Sequence, residues 1–166
     1  LGSTGSGKSS FVHLLLRLYD YTDGEILIDG VPLKNIHREH IRNNASIVLQ
    51  EPFMFFKSIK ENIALGDLES NDDAIIEAAK MACVHRTIKR FDKGYDTMLG
   101  ERGVTLSGGQ RQRVAIARTI LRKTPILIFD DSLSAVDTQT DQMIRQQLKD
   151  CQKDTTTIII SHRVST

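Results

Sequence analysis

Eight residues near the start of the chain restrict its fold more than any others. Gly2-Ser3-Thr4-Gly5-Ser6-Gly7-Lys8-Ser9 fits the pattern GxxxxGK[ST] at every fixed position. Glycines let a backbone turn until successive N–H groups converge on an anion. The helix that follows, predicted to begin near Lys8, adds the positive end of its dipole. A flexible Gly/Ser linker would not place Lys-Ser at that spot. Nor would it run straight into a helix whose Leu14, Leu15 and Leu18 form an apolar face. In a loop of this type Lys8 reaches the β- and γ-phosphates of a nucleotide and the Ser9 hydroxyl ligates Mg²⁺. Leu1 would then be the end of a buried strand, so the chain reads as a fragment lacking N-terminal strands and its C-terminal end.

The totals narrow the rest. At 166 residues the chain is one domain, long enough to bury a real core. Its formal net charge of +1 argues against a nucleic-acid protein, which shows a basic stripe or patch. No apolar run approaches the roughly 20 residues needed to cross a bilayer, so a membrane role needs another segment or chain for the spanning. Cys83 and Cys151 lack CxxC spacing, which disfavours a disulfide or metal site and suits a reducing cytosol.

Periodicity predicts an α/β chain. Glu25 to Asp29 alternates as a short strand between the turn signals Asp23-Gly24 and Asp29-Gly30. Ala45 to Leu49 is a second strand leading into Gln50. Between Pro52 and Arg90 no strong strand signal appears. Instead Ser58 with Glu61 reads as a capping box, and Ser70 ahead of Asp72 and Asp73 opens a helix with Ala74, Ile75, Ala78 and Ala79 at helical spacing. Ile126 to Phe129 and Thr156 to Ile160 read as parallel strands, with Thr138 and Asp141 expected to cap the helix between them. Strands at both ends and helices between imply an α/β core with an inserted helical subdomain. We place the core at residues 1–51 and 111–166 and the insertion at 52–110.

Two further strings carry chemistry. Ile126-Leu127-Ile128-Phe129-Asp130 is an apolar strand ending in an acid, which places the Asp130 carboxylate to hold a Mg²⁺ shell. The pattern is common by itself and gains its weight from the loop at Gly2. Leu106-Ser107-Gly108-Gly109-Gln110 opens a predicted helix whose Val114, Ala117, Ile120 and Leu121 face inward. Ser107 can cap it, and Gly108 and Gly109 leave its first N–H groups bare for an incoming phosphate.

Together these strings resemble the nucleotide-binding domain of ATP-binding cassette (ABC) transporters, in order and spacing over essentially the whole chain. Gly2 to Ser9 looks like the Walker A motif, Gln50 the Q-loop and Leu106 to Gln110 the signature. Ile126 to Asp130 looks like Walker B, Ser134-Ala135-Val136-Asp137 the D-loop and His162 the switch histidine. Glu101-Arg102-Gly103 is similar to a short motif of ABC exporters rather than importers. The resemblance implies a P-loop NTPase, RecA-like core with a parallel sheet, and ATP and Mg²⁺ as cofactors. It implies nucleotide contacts from Gly2, Ser3, Thr4, Gly5, Ser6, Gly7, Lys8, Ser9 and Ser10. In a head-to-tail dimer, Leu106, Ser107, Gly108, Gly109, Gln110 and Asp137 join them. Metal contacts fall to Ser9, Gln50 and Asp130, and catalytic roles to Asp131, His162 and Gln50. The implied partners are a second nucleotide-binding domain and a transmembrane domain of the same full-length chain, at the cytoplasmic face of the cell membrane, with no nucleic acid.

Two features depart from the family pattern. The aromatic residue that stacks on adenine would lie before Leu1. The acid after the Walker B aspartate is usually Glu, the base that polarises water, and here it is Asp131. The two acids differ by about 0.4 pKa units, so basicity hardly separates them. Reach does: Asp is one methylene shorter, and an error of about 1 Å can cost roughly a hundredfold in rate. Asp131 therefore resembles the weak half of a heterodimeric exporter whose other chain carries the Glu. A DNA-maintenance ATPase shares the signature but inserts a long heptad coiled coil. Here 55 residues (51 to 105) without a heptad run separate Gln50 from Leu106. A regulatory module that binds ATP only to dimerise is the other reading that Asp131 leaves open.

Overall fold

The computed structural model describes residues 7–100, 104–151 and 154–161. The elements run α1 (Lys8–Leu15), β1 (Leu27–Ile28), β2 (Val31–Pro32), α2 (Arg38–Asn44), β3 (Ala45–Val48), α3 (Ile59–Ala64), α4 (Asp72–Met81) and α5 (His85–Ile88). They continue with α6 (Gly108–Leu121), β4 (Ile126–Asp130), α7 (Thr138–Cys151) and β5 (Thr156–Ile160). Strands β3, β4 and β5 form one parallel sheet in that order, the α/β architecture expected.

Strand β4 divides the core by its period of two. Ile128 faces Val12 and Leu15 of α1 and Leu16 just past it, together with Ala45 and Ile160. Leu127 and Phe129 face the other way, into a larger cluster with Ile59 and Ile63 of α3, Ile75 of α4, and Val114 and Ile116 of α6. All three β4 side chains are no more than 1% exposed. Burial of this kind is worth about 1.5–3 kcal/mol per side chain. Helix α1 therefore lies on one face of the sheet, and α3, α4 and α6 lie against the other.

Several local expectations shift. Helix α1 stops at Leu15 and Arg17 turns to φ 51, so Leu18 leaves the helical register and is 47% exposed. Leu16 takes the buried place instead. The strand expected over Glu25 to Asp29 contracts to Leu27–Ile28, paired with Val31–Pro32. Asp29 and Gly30 both adopt positive φ, 49 and 78, as a type I′ hairpin turn requires, and Pro32 has no N–H to extend the ladder.

The caps refine in the same way. Ser58 and Glu61 form the capping box as expected: Ser58 Oγ accepts from the Glu61 amide at 3.1 Å and Glu61 Oε2 from the Ser58 amide at 2.9 Å. The cap of α4 is Asn71, whose Oδ1 accepts from the Ala74 amide at 2.9 Å, while Ser70 Oγ donates to the Asp67 carbonyl. Thr138 does not cap α7. Asp137 does, with Oδ1 accepting from the Thr140 amide at 2.9 Å, and Asp141 pairs with Arg145 instead.

Candidate functional site

The sheet register brings the acids and Gln50 to one edge. The last β3–β4 rung joins Val48 to Phe129, and the last β4–β5 rung joins Asp130 to Ile160. Gln50 and Asp131 each lie two residues beyond the Val48–Phe129 rung. Ligands of open α/β sheets bind outside these carboxyl ends. Gly7, at φ 85, directly precedes α1 with open space where a Cβ would stand. Lys8 is half-buried, Ser10 is exposed, and Ser9 contributes its backbone to the first helical turn. Gly2, Ser3, Thr4, Gly5, Ser6, His162 and the string Glu101-Arg102-Gly103 lie outside the described residues.

The backbone of Asp131 is fixed from three sides. Its amide donates to the Ile160 carbonyl at 2.9 Å. Its carbonyl accepts from the Ser134 amide at 3.2 Å and from Ser134 Oγ at 2.6 Å. Its φ is 47, a region that Asp occupies more readily than most residues, and it is 8% exposed. With the backbone held, the length of the side chain decides how far the carboxylate reaches.

Helix α6 opens on a second capping box. Ser107 Oγ accepts from the Gln110 amide at 3.3 Å, and Gln110 Oε1 accepts from the Ser107 amide at 2.8 Å. The Gln110 carbonyl oxygen is thus turned back onto the cap. Ser107 and Gly108 are exposed, whereas Leu106 is 5% exposed and anchors the turn. A groove of about 690 Å³ joins three segments: Gln50, Glu51 and Met54 after β3, Gly108 and Arg111 of α6, and Ser134 after Asp131. Asp137 sits at the far end of that last loop. The Thr140 amide, foremost, holds its carboxyl below the usual range, and Arg113 adds to the effect.

Sequence reasoning missed Gln112 and Arg118. Gln112 Nε2 donates to the Leu49 carbonyl at 3.0 Å and so pins the strand end before Gln50. Arg118 donates to the Asn62 carbonyl at 2.7 Å, to Asn62 Oδ1 at 3.1 Å and to the Phe53 carbonyl at 3.2 Å. The available signal was a polar side chain on the inward face of an apolar helix.

Among the described residues no group of three His, Cys, Asp or Glu side chains could hold a metal unaided. The donors at this edge still suit Mg²⁺. The Asp130 carboxylate and the Gln50 amide oxygen are hard ligands, and Mg²⁺ takes one or two such groups and completes its shell with phosphates and water.

Residues 1–134 match the family described as ABC transporter. ABC transporter B family member 4 of Dictyostelium discoideum is 47% identical over 165 residues, covering 99% of this chain and 22% of that protein. YgaD of Bacillus subtilis (strain 168), provisionally named a multidrug export ATP-binding/permease protein, is 45% identical over 166 residues, all of this chain and 29% of YgaD. The solved structure of a bacterial Atm1-family ABC exporter with ATP bound superposes with a TM-score of 0.90 at 42% identity, over 98% of this chain and 28% of that one. The chain therefore spans less than a third of the length of these relatives. No described helix is long and apolar enough to cross a membrane.

Proposed function

Because the chain belongs to the ABC transporter family, we propose that it binds and hydrolyses ATP as one half of a head-to-tail pair of nucleotide-binding domains, and that turnover drives export across a membrane. One observation carries this reading: Gln50, Asp130 and Asp131 share the carboxyl edge of the parallel sheet, with a groove from Gln50 to the capped turn of α6 and the loop after Asp131.

Each residue then has a task. Lys8 neutralises phosphate charge, aided by the amides at the start of α1. Asp130, Gln50 and Ser9 hold Mg²⁺, which when bound screens charge building on the phosphate oxygens. Asp131 orients the attacking water and accepts its proton, slowly because it is short. Ser107, Gly108 and Gly109 contact the nucleotide of the partner domain, and His162 contacts the γ-phosphate. The matching site of the partner carries Glu and turns over faster. Phe53, Phe55 and Phe56, just past Gln50, are 68%, 43% and 74% exposed. An apolar surface beside the groove suits docking of the transmembrane part at the cytoplasmic face.

The test is an ATP titration of the full-length protein with Lys8→Ala. Charge-assisted contacts are worth about 1.5–3 kcal/mol each, so affinity should fall at least tenfold. Unchanged affinity would overturn the assignment.

A further inference from the structure

Gly109 and Arg113 stand four residues apart on α6 and so share one face of the helix. That face lies along the loop that follows Asp131. A Cβ added at Gly109 would stand 3.0 Å from the Ala135 carbonyl oxygen, tighter than side chains normally tolerate. One turn further on, Arg113 is half-buried. Its Nε is shielded from solvent and has no hydrogen-bond acceptor among the described residues. A buried donor left unmade is costly, so this one marks a contact that another arrangement completes. Asp137, two residues past Ala135, is the carboxylate that feels the Arg113 charge. Its Oδ1 already accepts from the Thr140 amide. A carboxylate offers about four acceptor positions, so that bond does not exhaust it.

We propose that Arg113 is a positioning residue that closes onto Asp137 and ties the first turn of α6 to the Asp131–Asp137 loop, so that the two move as one unit. The inference rests on the head-to-tail reading above. In that reading the first turn of α6 serves the partner's nucleotide, while the loop begins at the acid of this chain's own site. The loop is already stiff at its start, where Ser134 holds the Asp131 carbonyl twice. Gly109 lets the two segments touch, and Arg113 fixes their spacing by charge. A displacement of the turn by the partner's phosphate then reaches Asp131 through the loop.

The experiment uses the full-length transporter assembled with its partner domain. Arg113→Met keeps the stem and removes the charge, Arg113→Lys keeps the charge and loses the fork, and Asp137→Asn keeps the helix cap. We expect Arg113→Met to lower kcat for ATP about tenfold, the size of one lost charge-assisted bond. ATP affinity and melting temperature should stay unchanged, and Arg113→Lys should recover part of the rate. Asp137→Asn should lower kcat as well, and combining it with Arg113→Met should cost little more, the mark of coupled residues. Wild-type kcat in Arg113→Met, or additive losses in the double variant, would overturn the proposal. So would a rate loss that follows an equal fall in melting temperature in both the Met and Lys variants. An unmodified assembly that bound no ATP would instead overturn the proposed function itself, and this inference with it.

Discussion

Gln112 on α6 donates to the Leu49 carbonyl at 3.0 Å, so this helix holds the strand end that delivers Gln50. Gln112 is 1% exposed, so the bond also fixes a buried side chain. Gln112→Met preserves volume and flexibility but strands the Leu49 carbonyl. A fully buried acceptor left unsatisfied costs about 1–3 kcal/mol, and Leu49 is 51% exposed, so the low end applies. For a domain of 166 residues each kcal/mol lowers the melting temperature by roughly 2–4 °C. ATP turnover should fall as well, because Gln50 loses its fixed base. A melt of the full-length variant that matched the unmodified protein would show that Leu49 finds another donor.

Two glycines separate packing from function. Gly66 follows α3, and a Cβ built there would collide with the Arg118 carbonyl on α6. The obstacle is backbone, which cannot rotate away. Gly66→Ala should therefore cost about 3 kcal/mol, the upper end for overpacking. Gly108 has open space around it and begins α6. Gly108→Ala should leave stability unchanged or slightly higher, since Ala favours helix over Gly. Its expected effect is on turnover at the partner's site. Melting curves and ATPase rates on both variants check the contrast; equal destabilisation by both would defeat it.

These contacts mark where the sequence stopped being legible. The apolar strand before Asp130, the capping box at Ser58 and the cap at Ser107 are local patterns, and each could be read from spacing within a few residues; the reciprocal bond from Gln110 that completes a box at Ser107 was not. Three of the misplaced features turned on competition between neighbours. Asn71 displaced Ser70 as a cap, Asp137 displaced Thr138, and Leu16 displaced Leu18 once the chain turned at Arg17. Gln112 and Arg118 were illegible for a different reason. Their partners lie 63 and 56 or more residues away, and nothing in the pattern of α6 says which carbonyl is waiting. The left-handed backbone of Asp131 likewise depends on the Ile160 carbonyl of another strand.

A pair in the helical region gives a pH test. The Tyr95 hydroxyl lies 2.9 Å from His85 Nδ1. Burial pushes the Tyr95 phenol up to about 12 from 10.0, and burial, aided by Lys80, pushes His85 down from 6.5. For Tyr95 the folded state holds the proton more tightly than the unfolded chain. Its contribution is full below about pH 10 and is lost as pH rises towards about 12. For His85 the folded state holds the proton less tightly, so its contribution is full above 6.5 and is lost as pH falls below it. Melting temperature against pH should decline on both sides, and Tyr95→Phe should flatten the alkaline limb. Parallel profiles for the two proteins would rule out Tyr95 as the source.

The proposed slowness of this chain's own site turns on the reach of Asp131. The Asp131 backbone is held by Ile160 and Ser134, so it cannot advance to make up for a short side chain. Asp131→Glu adds one methylene without changing charge. We expect faster hydrolysis at this chain's own site, by as much as the roughly hundredfold that an error of about 1 Å can cost. The same change should lower stability slightly, because φ 47 suits Asp better than Glu. A rate gain with a stability loss cannot come from general tightening of the fold. Asp131→Asn, which removes the base but keeps the shape, should matter little in the assembled transporter. Removing the partner's glutamate should nearly stop turnover. ATPase rates for the three variants, measured in one purified assembly, decide the matter. If Asp131→Asn is as damaging as loss of the partner's glutamate, Asp131 is a full catalytic base and the asymmetric arrangement is wrong. If Asp131→Glu leaves the rate unchanged, reach is not what limits the site, and the reading of this chain as a regulatory ATP-binding half gains the ground.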